Sequence, residues 1–225
     1  MRILLSPSPL LGPASWTAVA ESLNAGGRAA AVARPPSLLE ITGDYYPTLA
    51  ASIAEAARPG DVLAAHSGAG ALVPAVLAAA AGRIVGSIYV DAILPHPGRS
   101  WFDTAPAAMR EQLRAGAQQG LLPAWDGWWP PGALERLVPE AAPREALVAE
   151  LEPLPIAYFE EVAPAGEASG PSAYLRLSGA YDNEAKAAGR MGWPVVHLPL
   201  NHLAAVSHPT AVAGALAGLA DQLVA

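Results

Sequence analysis

The chain reads as an α/β protein: a mostly parallel sheet of about six strands, helices on both faces, and an inserted, mainly helical cap. Three observations predict this. Short apolar runs alternate with helical segments from one end of the chain to the other. A single long stretch, about residues 94–170, breaks that alternation. The 225 residues contain no charged or Pro-rich spacer that would split them, so one domain spanning 1–225 is expected.

The strand candidates are the apolar runs at 2–6, 29–33, 62–65, 84–90, 174–177 and 195–198, most of them bounded by turn residues. Helical segments lie between and after them at 16–24, 47–57, 69–80, 183–188 and 209–224, several opened by proline or a capping residue. Strand followed by helix implies parallel pairing with right-handed crossovers, and a ligand crevice beyond the carboxyl ends of the strands. The 94–170 stretch carries Trp101, Trp125, Trp128 and Trp129 among many prolines, with helical pieces at 107–117 and 144–151. Placed over the crevice, it would supply Trp125, Trp128 and Trp129 as substrate-binding walls; alternatively these rings pack the cap onto the sheet.

Composition narrows the function. Half the residues are apolar (52%) and 15% are charged, as in a globular chain. The net charge is −7, and residues 92–170 hold eleven acids against five arginines, which disfavours nucleic acid and anionic membrane as partners. The opening MRILLSPSPLLGP is broken by Pro7, Pro9 and Pro13, so it reads as a strand and not a signal peptide, and a cytoplasmic protein is expected. The absence of cysteine removes disulfides, thiolate metal sites and a cysteine nucleophile.

The sharpest local signal is DVLAAHSGAG, where an apolar strand ends just before Ser67 and a run of small residues begins just after it. A strained strand-to-helix turn that lifts a hydroxyl clear of the backbone needs small side chains two positions away on each side, here Ala65 and Ala69. The same turn aims a helix N-terminus at the serine, where the N–H of Gly68 can serve an oxyanion. A serine needs a base, and the base needs an acid to orient it. His202, just after the last strand candidate, is the base expected; His66, His96, His197 and His208 fit less well, and His66 is read as a buttress of the turn. Two strand-end carboxylates compete for the acid. Asp182, after YLRL, is preferred from the chain order Ser, Asp, His, and Asp91, after IVGSIYV, is the alternative.

With SPSPLLGPASW after the first strand, AHSGAG at the turn, VDAILPHPG, LSGAYD, and NHL with HP before the last helix, the chain resembles the α/β-hydrolase superfamily over nearly its whole length. Within it the resemblance is to small esterases, methyl esterases and hydroxynitrile lyases. The resemblance implies a hydrolase for an ester, lactone or thioester of a small molecule, with an acyl-enzyme and without metal or cofactor. It also implies that the amino-terminal strand pair of larger relatives is missing here. The acidic cap and aromatic lining suggest a largely apolar, uncharged or cationic substrate, such as a secondary metabolite. One departure stands out: relatives often carry a His-Gly pair before the oxyanion donor, where this chain has Pro7, Ser8 and Pro9. Proline has no N–H, so the second donor falls to Leu10 or to the Ser8 side chain, or is absent. That departure supports an alternative, a lyase using the same Ser-His pair; a third reading is a binding protein that kept the crevice without turnover, because a fold does not guarantee function.

Overall fold

Four buried apolar-face residues form β1 (Ile3–Ser6), and α1 (Ala14–Ala25) returns the chain to β2 (Ala30–Val32). Then come α2 (Tyr45–Glu55), β3 (Asp61–His66), a 3-10 turn over Ser67–Leu72, α3 (Val73–Ala80) and β4 (Ile84–Val90). A long excursion follows. It holds α4 (Trp101–Thr104), α5 (Ala107–Gly116), β5 (Leu121–Leu122), a 3-10 turn at Trp125–Trp128, α6 (Ala133–Leu137), α7 (Ala141–Val148), β6 (Leu154–Pro155) and α8 (Ile156–Glu160). The chain ends through β7 (Ser172–Arg176), α9 (Asp182–Arg190), β8 (Val195–His197), α10 (Ala204–Ser207) and α11 (Pro209–Val224). This computed structural model describes residues 1–166 and 168–224; Glu167 and Ala225 lie outside the described residues.

Six strands form one parallel sheet in the order β2-β1-β3-β4-β7-β8, and β5 and β6 make a separate antiparallel pair. Alternate strand residues face opposite sides, so both faces are apolar. Leu4, Leu63, Tyr89 and Tyr174 meet α2, α3 and α9 on one face, while Ile3, Leu5, Val62, Ile88 and Val90 meet α1, α10 and α11 on the other. Phe102, Leu113, Leu122, Leu147 and Phe159 of the excursion join the first of these clusters, so the excursion shares a core with the sheet. Among the described residues, no helix is long and apolar enough to cross a membrane.

The strand order reverses between β1 and β3, and the crevice expected at such a switch point opens beside the loop after β1 and the turn after β3. That turn departs from the helix expected over 69–80, because the α-helix begins only at Val73. A Cβ on Gly70 would lie 2.0 Å from the carbonyl oxygen of Ile93, so the turn presses directly on the backbone leaving β4. Strand β7 also starts earlier than expected, because Ser172 already pairs with Ser87.

Gly70→Ala should therefore cost about 1–3 kcal/mol, the usual range for overpacking. Gly116→Ala, at a helical position where a Cβ meets nothing within 4 Å, should be neutral or stabilising by up to about 1 kcal/mol. Thermal melts of the two variants check this; equal midpoints would show that the turn has room to move.

Candidate active site

Ser67 sits where β3 ends and the 3-10 turn begins, with φ 55° in the left-handed region. Ala65 and Ala69 flank it, both buried, and leave space for the strained turn. Gly68 is the second residue of the turn, a position whose N–H has no acceptor within the helix itself. A Cβ there would lie 3.2 Å from Ser8 Oγ and 3.5 Å from Pro9 Cδ, so the loop after β1 packs closely against this amide. Leu10 lines the same crevice, and its N–H donates to Ser8 Oγ over a long 3.3 Å.

His202 follows β8 and is fixed from both ends. Its carbonyl accepts a 3.0 Å hydrogen bond from His66 Nε2, and Asn201 beside it donates to the carbonyl of Leu137 at 3.1 Å. Its ring lies between a carboxylate and a hydroxyl: Nδ1 is 2.8 Å from Asp91 Oδ2, and Nε2 is 3.1 Å from Ser67 Oγ. A carboxylate only accepts, so the proton resides on Nδ1 and Nε2 is left to accept from the serine hydroxyl.

Asp91 immediately follows β4 and, like Ser67, has a left-handed backbone, with φ 42°. Its carboxylate is fully buried. Oδ1 accepts from the N–H groups of Leu177 at 2.8 Å and Ser178 at 2.9 Å, and Oδ2 accepts from the Ser178 hydroxyl at 2.6 Å as well as from His202. Burial works to raise its pKa, but the hydrogen bond and electrostatic attraction of His202 and the bonds from Ser178 together hold it below the usual carboxylate value. The Tyr174 hydroxyl steadies the next residue, donating to the carbonyl of Ala92 at 2.7 Å and accepting from its N–H at 3.0 Å.

The preference for Asp182 is thereby corrected. Asp182 opens α9, is about half exposed, and turns its carboxylate to Arg176, whose Nε donates to Oδ1 at 2.7 Å. The acid that reaches His202 comes from the strand next to the nucleophile's strand. His66, expected to buttress the turn, instead bonds the backbone of His202. Its ring is buried against the edge of Trp16, and burial first, then repulsion from His202, lowers its pKa to about 3. It stays neutral, with its proton on Nε2.

Above Ser67 lies a cavity of about 530 Å³, within the range of small-molecule sites. Trp125, Trp128 and Trp129 line it as expected, and Trp101 joins them. Trp125 stands 6.3 Å from the His202 ring. Among the described residues, Arg136 is the one lining residue with a permanent charge, and no carboxylate lines the cavity. The acids Glu150 and Glu152 instead border a separate groove beside the loop after β1, so the expectation of a cationic substrate has no support in the lining. Tyr181, which sequence reasoning did not single out, stacks on His202 with ring centres 5.0 Å apart and 11° between planes, and its hydroxyl is 3.4 Å from Ser67 Oγ. Burial is the main cause that pushes its phenol up to about 12. Among the described residues, no three His, Asp or Glu side chains gather to hold a metal ion.

No protein-family model matches the sequence, and no curated protein sequence matches it. Solved structures do match. One is an extracellular α/β-hydrolase from a Paenibacillus species, described as sharing structural and functional homology with tobacco salicylic acid binding protein 2; it is 18% identical, covers 97% of this chain and 98% of its own, and gives a TM-score of 0.73. A pyrethroid hydrolase from Sphingobium faniae is 20% identical over 98% of this chain and 97% of its own, with a TM-score of 0.70. Tomato methylketone synthase I, bound to 2-tridecanone, is 14% identical over 99% and 98%, with a TM-score of 0.70. At these identities the likeness shows a shared fold, the α/β-hydrolase fold.

The buried His66 carries a pH signature. Between about pH 6.5 and pH 3 the unfolded chain takes up a proton at this imidazole that the folded chain refuses, so stability rises with pH through that window, by at most about 1.4 kcal/mol per pH unit. His66→Gln keeps a donor near the His202 carbonyl but removes the titration. Its unfolding free energy should fall less steeply than wild type from pH 6.5 to pH 4 in denaturant titrations; parallel slopes would mean that His66 is protonated in the folded state.

Proposed function

We propose that this chain, which has the α/β-hydrolase fold, is a hydrolase that cleaves an ester, lactone or thioester of a small, largely apolar molecule by acyl transfer through Ser67. The observation that carries this reading is the unbroken run of hydrogen bonds from Ser67 Oγ through His202 to Asp91, at 3.1 and 2.8 Å, on the floor of an aromatic cavity. The names of the neighbouring structures, hydrolases among them, agree with it.

The chemistry follows from the proton positions. Nε2 of His202 takes the Ser67 proton as Oγ attacks the carbonyl carbon, and Asp91 stabilises the imidazolium that forms. The negative oxygen of the tetrahedral intermediate meets the free N–H of Gly68 at the start of the helical turn. Leu10 supplies the second donor: among the described residues its amide is held only by a long bond to Ser8 Oγ, and an oxyanion is a stronger acceptor than a hydroxyl. The imidazolium then protonates the leaving group, and water resolves the acyl-enzyme by the same steps. Residues 94–170 act as the cap of this site, where Trp125, Trp128 and Trp129 exclude water and hold the apolar part of the substrate. The lone Arg136 tolerates a neutral or anionic group at the cavity wall and disfavours a cationic one.

A serine-directed phosphonate should label Ser67 alone, read by mass spectrometry of peptides, and Ser67→Ala should abolish the label; labelling elsewhere with Ser67 untouched would remove the assignment. Asp91→Asn should lower turnover roughly ten-thousand-fold. The amide would donate to Nδ1, move the imidazole proton to Nε2, and leave the serine without a base. Asp182→Asn should leave turnover near wild type. Both variants need matched thermal melts, and the reverse ranking with both folded would return the acid role to Asp182.

A further inference from the structure

Besides His202, the polar side chain within hydrogen-bond reach of Ser67 Oγ among the described residues is Tyr181, at 3.4 Å. That bond is long, and the hydroxyl has no other partner among the described residues. We propose that Tyr181 is a further catalytic residue, whose phenol O–H donates a hydrogen bond to the departing oxygen while His202 protonates it. This rests on the acyl-transfer reading of Ser67.

The contacts of the phenol decide its role. The Gly68 amide, against which the loop after β1 packs, is the donor assigned to the carbonyl oxygen. Tyr181 is stacked flat on the ring of His202, and its hydroxyl and His202 Nε2 are both within hydrogen-bond reach of Ser67 Oγ, at 3.4 and 3.1 Å. The leaving oxygen has to approach His202 Nε2 to receive a proton, which brings it toward the phenol that shares Nε2's partner. On that ground the phenol serves the leaving group. Its high pKa keeps it protonated throughout neutral pH, as a donor must be.

In acylation the Oγ–C bond forms as the Ser67 proton moves to Nε2. When the intermediate collapses, the C–O bond to the alcohol breaks and its electron pair goes to that oxygen. The proton on Nε2 is transferred to the same oxygen, and Tyr181 keeps its own proton, stabilising the developing negative charge only by hydrogen bonding. Such help matters when the leaving oxygen is strongly basic and matters little when it is a stable anion. Tyr181 is also positioned firmly, because its N–H donates to the Ser178 carbonyl at 3.3 Å, and Ser178 is bonded to the buried Asp91.

Tyr181→Phe retains the ring stacked on His202 and deletes only the hydroxyl. The experiment compares kcat/KM of wild type and variant for alkyl and 4-nitrophenyl esters of one acid, with thermal midpoints and phosphonate labelling of Ser67 measured on both. For alkyl esters the variant should lose roughly ten- to a hundred-fold, the worth of a hydrogen bond to a charged atom. The loss for the 4-nitrophenyl ester should be distinctly smaller. A series of substituted phenyl esters gives the same test as a slope: rate should depend more steeply on leaving-group pKa in the variant. An equal loss on all esters, or none on alkyl esters, overturns the proposal and leaves Tyr181 as a packing partner of His202. A wild type labelled at Ser67 that cleaves no ester overturns it while the nucleophile stands, and a wild type that is neither labelled nor active overturns the acyl-transfer reading itself.

Discussion

The carboxylate of Asp91 has no exposure to water and accepts four hydrogen bonds, from two backbone amides, a hydroxyl and an imidazole. An ionised group persists in such a place only where bonds of this kind replace its hydration. The arrangement at the carboxyl edge of the sheet follows from that requirement. The amides of Leu177 and Ser178 must point back toward β4, which fixes the path of the chain as it leaves β7. The fourth bond must come from His202, which fixes the ring and its tautomer. Removing any donor would leave part of a buried charge uncompensated, so Asp91 holds this edge of the sheet together whatever chemistry takes place beside it.

The sheet makes this possible at short range. Strands β3 and β4 are neighbours, and each is followed at once by a residue with a left-handed backbone, Ser67 after one and Asp91 after the other. Such conformations are costly for non-glycine residues and survive where the surroundings hold them. Here the close approach of Gly70 to the Ile93 carbonyl locks the two strand ends together. His66 completes the frame by holding the backbone of His202, and it does so as a neutral ring because its surroundings refuse the proton.

Much of this was written in the sequence. Alternating apolar and helical segments specified a parallel sheet of six strands, and the small residues around Ser67 marked the turn because sterics permit little else there. The choice between Asp91 and Asp182 was not resolved by the same means, since both follow strands and differ only in where the side chain points. One clue was present: Arg176 lies within a largely apolar strand, and a cation there needs a carboxylate close by, which Asp182 supplies. The aromatic wall was legible as a cluster of tryptophans, but α4, α6 and α8 are only four or five residues long and carry too few turns for a hydrophobic period to show. Tyr181 left no local pattern, because its significance lies in a contact across 114 positions of chain.

The loop between β7 and α9 touches the site twice, through Ser178 at the acid and through Tyr181 at the nucleophile. Together with His202 these contacts close a circuit: Ser67 to His202, His202 to Asp91, Asp91 to Ser178, and along three further residues of backbone to Tyr181 and back to Ser67. A circuit has no free end, so a push on the tyrosine ring from something in the cavity travels both ways around it and reaches the acid as well as the hydroxyl. Energies within such a loop are not separable, and paired substitutions around it should be coupled even where the two side chains never meet. The geometry of Ser67 is in this sense a property of the whole circuit and belongs to no single bond in it.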